Sequence, residues 1–299
     1  VAKDKSEKDK EERKINATNI EWVKNPDGTQ GYTWNPITGC LNHTYEGLCK
    51  GGGFPCYAWR LAHGRLKQRY LANRNIAPLE DDLAFRVRFK DGSTALDDPF
   101  YPRFWPERLL DVPFTKKPLG IFTVDMGELF GDWIPDWWIE KVFKTISMHP
   151  EHRFYLLTKQ PQNLAKFSPF PANCFVGVTA TNDFLMQEAI IHLANISARV
   201  RFISLEPLLN RISYIDAYSS LAGAIDWVII GAQTKPAVYP KIEWVEEIVR
   251  ACDKAGVKVF LKDNLRSLLV DALTRKLIDR KQFFVHSTGY GGDLRQEMP

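Results

Sequence analysis

The chain has 299 residues, of which 44% are hydrophobic and 25% charged, with a formal net charge of +4. That length buries a full core. No apolar run approaches the ~20 residues that span a bilayer, and the charged N-terminus is not what a signal peptide requires, so a cytoplasmic protein is expected. Five cysteines is an odd count, and three of them cluster. In a cytosolic chain this points to metal rather than to a disulfide framework. Cys174 and Cys252 stand alone and are expected in the core.

Residues 1–15 are almost all charged, so we expect a flexible tail over 1–18. A single domain over 19–299 would follow it. Asn25-Pro-Asp-Gly28 marks a turn. A short strand over 32–37 would then deliver the loop that holds Cys40, Cys49 and Cys56. Gly51, Gly52 and Gly53 lie between the second and third thiols and let the loop close tightly. The segment from Cys56 to His63 begins a helix, which places the third thiol where the helix dipole favours thiolate. Arg60, Arg65, Lys67, Arg69 and Arg74 follow, as a solvated face or a nucleic-acid contact. Residues 75–118 are irregular and rich in proline and aromatics. Phe100, Tyr101, Phe104 and Trp105 are expected to cover one mouth of the core.

From residue 119 the pattern turns regular. Apolar runs at 119–124, 153–157, 174–178, 200–203, 227–230 and 257–261 alternate with amphipathic stretches. Near-continuous apolar strands alternating with helices predict a parallel sheet covered on both faces. An α/β fold with a full or partial (β/α) TIM-like barrel is expected, because the polar residues fall at the strand C-termini. Asp125, Glu128, Thr158, Lys159, Thr179, Thr181, Glu206, Gln233, Thr234, Lys262 and Asp263 would then share one rim, where barrel active sites are built. Gly231-Ala-Gln-Thr234 lacks the repeated glycines of a dinucleotide fingerprint.

Eight and six residues separate the three thiols, so they form no zinc knuckle. Three readings stay open: a four-iron cluster with one iron free of protein ligands, zinc completed by His43 or His63, and unligated thiols. Trp34 and Trp59 flank the loop and would exclude water from it. Met126-Gly-Glu128 offers a close backbone approach and a carboxylate for an ammonium group. Lys159 and Lys262 would bind a carboxylate or phosphate, or pair with Asp125, Glu206 or Asp263. His149, His152 and His192 are given no role.

Taken together, Trp34-Asn-Pro-Ile-Thr-Gly-Cys40, Cys56-Tyr-Ala58, Leu157-Thr-Lys159, Ile203-Ser-Leu-Glu-Pro-Leu208, Asp226-Trp-Val-Ile-Ile-Gly231 and Val259-Phe-Leu-Lys262 resemble an uncharacterised family of bacteriophages and prokaryotes. That family is similar to the radical S-adenosylmethionine (SAM) enzymes. The resemblance spans about residues 30–299. It implies a partial barrel with a four-iron, four-sulfur (4Fe-4S) cluster on Cys40, Cys49 and Cys56, and SAM chelated to the fourth iron. It also implies an electron donor such as flavodoxin or ferredoxin, and a 5′-deoxyadenosyl radical that takes a hydrogen from the substrate. Met126, Gly127 and Glu128 stand where the family holds the SAM amino group. Thr158, Lys159, Thr179, Glu206, Gln233 and Lys262 would line the pocket, with Lys159, Glu206 and Lys262 as catalytic candidates. The cysteine spacing is wider than the common radical SAM spacing, and Gly51–Pro55 is an insertion relative to the usual pattern of its own family. The substrate is unassigned, with DNA or RNA as the candidate. A second expectation is a nucleic-acid-binding barrel with a structural zinc or iron–sulfur site and no radical chemistry.

Overall fold

Strands alternate with helices along most of the chain, and the strands pair in nearly the order in which they occur. A computed structural model describes residues 15–78, 94–213, 222–285 and 292–299. Most of the expected tail and the middle of the expected 75–118 segment lie outside them. The strands are β1 (Asn16–Ala17), β2 (Tyr32–Trp34), β3 (Ile37–Thr38), β4 (Arg103–Phe104), β5 (Gly120–Thr123), β6 (Arg153–Thr158), β7 (Cys174–Thr179), β8 (Val200–Leu205), β9 (Trp227–Ile230), β10 (Gln233–Thr234), β11 (Ala237–Val238), β12 (Lys258–Leu261), β13 (Phe284–Val285) and β14 (Asp293–Leu294). The helices are α1 (Tyr57–His63), α2 (Lys67–Ala72), α3 (Asp136–Met148), α4 (Asp183–Ala194), α5 (Ile242–Ala255), α6 (Arg266–Thr274) and α7 (Arg280–Phe283).

One eight-stranded sheet dominates, in the order β1-β2-β5-β6-β7-β8-β9-β12. Only the β1–β2 pair is antiparallel. The parallel strands follow chain order without a reversal, so there is no switch point of the doubly wound kind. No ladder joins β1 to β12 among the described residues, so the sheet is not a closed barrel. Instead the C-terminal segment covers β12: Leu261 N–H donates to Arg295 O (2.8 Å) and Glu297 N–H to Val259 O (3.0 Å).

Each strand sends alternate side chains to opposite faces. One face packs on helices: Ile121, Leu156, Val176, Ile203, Val228 and Val259 share a core with Val142 of α3, Ala189 of α4, Ile248 of α5 and Leu269 of α6. The other face is filled by the protein's own rings, Phe122, Tyr155, Phe175, Phe202, Trp227 and Phe260. Both faces are therefore covered, one by helices and the other by the protein's own rings. The strands are apolar throughout because the second face fills itself. Trp22 sits at its centre, with ring centroids 5.0 Å from Phe122, 5.6 Å from Tyr155, 5.8 Å from Phe202 and 6.2 Å from Trp227. Four strands reach a single indole, so the sheet curls around it.

Helix ends follow local chemistry. Asn182 caps α4 by accepting from Leu185 N–H (2.9 Å). Gly256, at φ +70°, terminates α5 in the left-handed region. The expected irregular segment is organised around Arg103. This residue is fully buried and gives four hydrogen bonds of 2.7–3.1 Å to the carbonyls of Asn73, Asp98, Tyr101 and Leu96. Phe100, Tyr101, Phe104 and Trp105 are all buried: Tyr101 and Phe104 join the main core, while Phe100 and Trp105 pack with Ala58, Tyr70 and Met126 beside the cysteine loop. No described helix is long and apolar enough to cross a membrane.

Candidate metal and cofactor site

The inward face changes character along the strands. Its lower part is aromatic. Its C-terminal part carries Thr179, Ser204, Glu206 and Lys262. Above that rim lies a pocket of about 570 Å³, walled on one side by the cysteine loop. The volume lies within the range of ligand-sized cavities.

The loop is held from both ends. Gly39 N–H donates to Met126 O (2.9 Å) and Glu128 N–H to Gly39 O (3.1 Å), so the chain before Cys40 runs beside the chain after β5. Gly39 has φ +92°, and a Cβ there would lie 2.6 Å from the Phe100 and Tyr101 oxygens. A Cβ on Gly127 would lie 2.8 Å from Gly39 O. The close approach that Gly127 permits is therefore, first, that of the loop backbone. Asn35, which sequence reasoning passed over, ties the same junction. Its Nδ2 donates to Asp125 Oδ1 (2.6 Å), and its Oδ1 accepts from Met126 N–H (2.9 Å). At the far end Thr181 donates to Gly51 O (3.1 Å).

Cys56 is the N-cap of α1, and its Sγ accepts from Trp59 N–H at 3.5 Å. Burial nevertheless pushes its thiol up, and that of Cys40 further. The expected helix-dipole preference for thiolate is outweighed by desolvation. Lys159 reaches in among the thiols. A Cβ on Gly51 would meet Lys159 Cδ at 3.2 Å and Cys49 Sγ at 3.7 Å. Burial works against the lysine charge, but Cys49, Glu128, Cys56 and Cys40 outweigh it and raise the pKa.

The three sulfurs do not all lie within 4.8 Å of one another. Among the described residues, only His149, Glu151 and His152 bring three metal-ligating atoms within 4.8 Å of one another. A single tetrahedral zinc would hold its sulfurs ~3.8 Å apart, given Zn–S ≈ 2.3 Å. A cluster needs a wider triangle, and its positive charge would offset the desolvation of the thiols. The donor set fits a cluster. His63 is occupied by Trp59 O (3.0 Å) and Asp98 (3.6 Å), and His43 does not converge with the thiols. The His149 group offers no better metal site. His152 Nδ1 accepts from Leu119 N–H (3.3 Å), which leaves its Nε2 protonated and donating to Pro113 O (2.8 Å).

The remaining candidates divide. Glu128 is buried, and its carboxylate accepts from Thr158 Oγ1 (2.6 Å), Lys159 N–H (3.0 Å) and Phe130 N–H (3.2 Å). One lone-pair direction remains for a ligand. Thr158 spends its hydroxyl on Glu128 and is absent from the pocket wall. Met126 packs on Ala58, Tyr70 and Trp105. Thr179 lines the pocket with a buried hydroxyl that has no partner among the described residues. Gln233 lines it too, with its amide turned to Pro236 O (2.9 Å). Lys262 forms an ion pair with Glu206, and Glu21 stands 3.8 Å from it. Trp59 stacks on His63 and stays beside the loop, whereas Trp34 lies in the helix-facing core and donates to Arg108 O (2.7 Å). Sequence reasoning also passed over Trp22 and Tyr57, which line the pocket. No periodic pattern marks Trp22, whereas Tyr57 stood at helical spacing within the Cys56-Tyr-Ala58 motif. The asparagine of the Trp-Asn-Pro motif was the one available pointer to Asn35.

The fold is similar to that of spore photoproduct lyase in complex with dinucleoside spore photoproduct. The TM-score is 0.50 at 10% identity, over 84% of this chain and 80% of that one. A mutant of that lyase with bound AdoMet and dinucleoside spore photoproduct gives 0.48 at 10% identity, over 84% and 79%. The shared architecture is a mixed α/β fold with a large, mostly parallel sheet. By its sequence the chain belongs to DUF5131, a protein family of unknown function whose pattern matches residues 17–272. No curated protein matches it.

Proposed function

We propose that this chain is a radical SAM-type enzyme built on a partial (β/α) barrel, acting on a nucleic acid. The observation that carries the reading is that Cys40, Cys49 and Cys56 all act on the Lys159 ammonium, with Cys56 and Lys159 on the pocket wall, while their sulfurs do not all lie within 4.8 Å of one another as a single metal ion would require. A 4Fe-4S cluster held by the three thiols would supply one electron to SAM, delivered to it by a donor such as flavodoxin or ferredoxin. The chain's own groups do the rest. Lys159 balances the negative charge of the thiolates. Glu128, held by three hydrogen bonds, offers its remaining acceptor to the SAM amino group. Thr179 offers a hydroxyl that nothing else uses. Lys262 and Glu206 stand on the opposite strands of the rim, where they orient a polar substrate. The aromatic floor below keeps water from the reacting atoms. The similarity in fold to spore photoproduct lyase supports the nucleic-acid part.

Anaerobic purification followed by iron, sulfide and zinc analysis tests this, together with electron paramagnetic resonance of the reduced protein with and without SAM. About four irons per chain are expected, with a spectrum that changes on adding SAM. Alanine at any one of the three cysteines should abolish the visible iron–sulfur absorbance. Zinc alone, or a cluster indifferent to SAM, sinks the radical reading and favours a nucleic-acid-binding protein with a structural metal, which the exposed cations of α1 and α2 would serve.

A further inference from the structure

A second cavity, of about 500 Å³, lies beside the first. Tyr57 and Asp125 line both, so they form the wall between them. Tyr57 is 46% exposed and donates its hydroxyl to Asp125 O. Three guanidinium groups line the second cavity, from Arg65, Arg69 and Arg108. Arg108 is fixed: it lies 3.8 Å over the Trp105 ring and donates to Asn35 O (2.8 Å). Burial opposes its charge and Arg69 opposes it further, against the favourable influence of Tyr70, Glu107 and Asp111. Folding has brought like charges together there. The cavity's carboxylates are Asp111 and Asp125, fewer than its guanidinium groups, and burial holds Asp125 up to about 6. Such a site is completed by an anion that accepts from planar forks, and a phosphate ester is that anion.

The cations continue beyond the cavity. Arg60 lines the first pocket, while Lys67 and Arg74 are exposed on the same short stretch. No acidic residue occurs between positions 57 and 78. Among the described residues, none of Arg60, Arg65, Lys67, Arg69 and Arg74 has a carboxylate within 4.0 Å. A row of this length suits a chain of phosphates rather than one. The exposed Tyr57 ring offers a face on which a base stacks between the two cavities.

We infer that the second cavity is a phosphodiester subsite, in which Arg65, Arg69 and Arg108 hold the backbone of a single nucleic-acid strand while the adjoining nucleotide enters the first pocket. This rests on the nucleic-acid reading above, and the target base must leave its stack to reach the rim.

The test is fluorescence anisotropy of a labelled single-stranded oligonucleotide of about 12 residues, titrated with the anaerobic full chain across a range of KCl concentrations. Arg65→Ala and Arg69→Ala should each weaken binding about tenfold. Each should also lower the slope of log K against log salt by about 0.7, the value for one lost contact to a single strand. A Lys141→Ala/Lys144→Ala variant, which removes from α3 the same charge as the Arg65→Ala/Arg69→Ala double variant, should bind as the wild type does. Iron content, thermal midpoint and the SAM-dependent resonance change should be the same in the arginine variants as in the wild type. Loss of the cluster reading alone would therefore leave the binding result standing. Wild-type affinity and salt slope in Arg65→Ala/Arg69→Ala would overturn the subsite. So would displacement of the oligonucleotide by inorganic phosphate at equal phosphate concentration, which would mark a site for small anions only.

Discussion

Asp125 shows how a single partly buried carboxylate makes stability depend on pH. Burial raises its pKa from 3.8 to about 6, against the opposing hydrogen bond from Asn35. Between those values the folded form binds more protons than the unfolded one, so stability falls as pH rises through that window. The loss levels off about one unit above pH 6 and amounts to at most about 3 kcal/mol. Denaturant titrations of the apoprotein at pH 4.5 and pH 7 should show this fall, and Asp125→Asn should flatten it. An equal fall in the variant would assign the effect to other groups. Gly39 is the residue at which conformation itself is the constraint. With φ +92° and two carbonyl oxygens 2.6 Å from a Cβ position, Gly39→Ala should cost at least about 2 kcal/mol. It should also lower iron incorporation, because it displaces the backbone that presents Cys40. Unchanged iron content and thermal midpoint would show that the loop tolerates the shift.

Among the elements, the cysteine loop and the aromatic floor carry the site. The loop is pinned to the end of β7 by a single side-chain bond, from Thr181 to Gly51 O. Thr181→Val keeps the shape and removes the donor. It should leave global stability within about 1 kcal/mol, while Cys49 becomes more reactive to a thiol reagent in the apoprotein. Unaltered reactivity would mean that the Gly39–Gly127 junction alone holds the loop. Trp22 stands between β5, β6, β8 and β9. Trp22→Ala removes the ring on which four strands converge and should cost about 3–5 kcal/mol, read as a shift in the denaturant midpoint. The six parallel strands β5, β6, β7, β8, β9 and β12 and the helices α3 to α6 were legible in the sequence because apolar runs alternate there with amphipathic stretches, whereas the short β10, β11, β13, β14 and α7 carried no such signal. The floor was not legible, because an indole in a polar loop, at position 22, carries no periodic signal.

Over the whole molecule, the sheet has two free edges and treats them differently. At one, β1 adds an antiparallel strand of two residues. At the other, residues 295–297 lie along β12, where the Glu297 carbonyl also accepts from Trp227 Nε1–H (2.9 Å) and its carboxylate accepts from Val259 N–H (2.8 Å). Deleting residues 293–299 should expose that edge and promote self-association, seen as concentration-dependent light scattering. A monomeric, equally stable truncation would show that β12 needs no cover. The sequence alone determined the alternation of strands and helices, the order of polar residues at the strand ends, and the three thiols that form the candidate centre. These are local or periodic properties, written within a few residues of one another. Only the tertiary structure decided that the inward face fills with its own rings, that Glu128 is already bound by Thr158, Lys159 and Phe130, that Lys262 pairs with Glu206, and that three arginines from α1–α2 and the following segment line one cavity. Apart from the bond of Glu128 to Phe130, two residues on, these contacts join segments distant in the chain, and no pattern within a single element encodes which partner a side chain will meet.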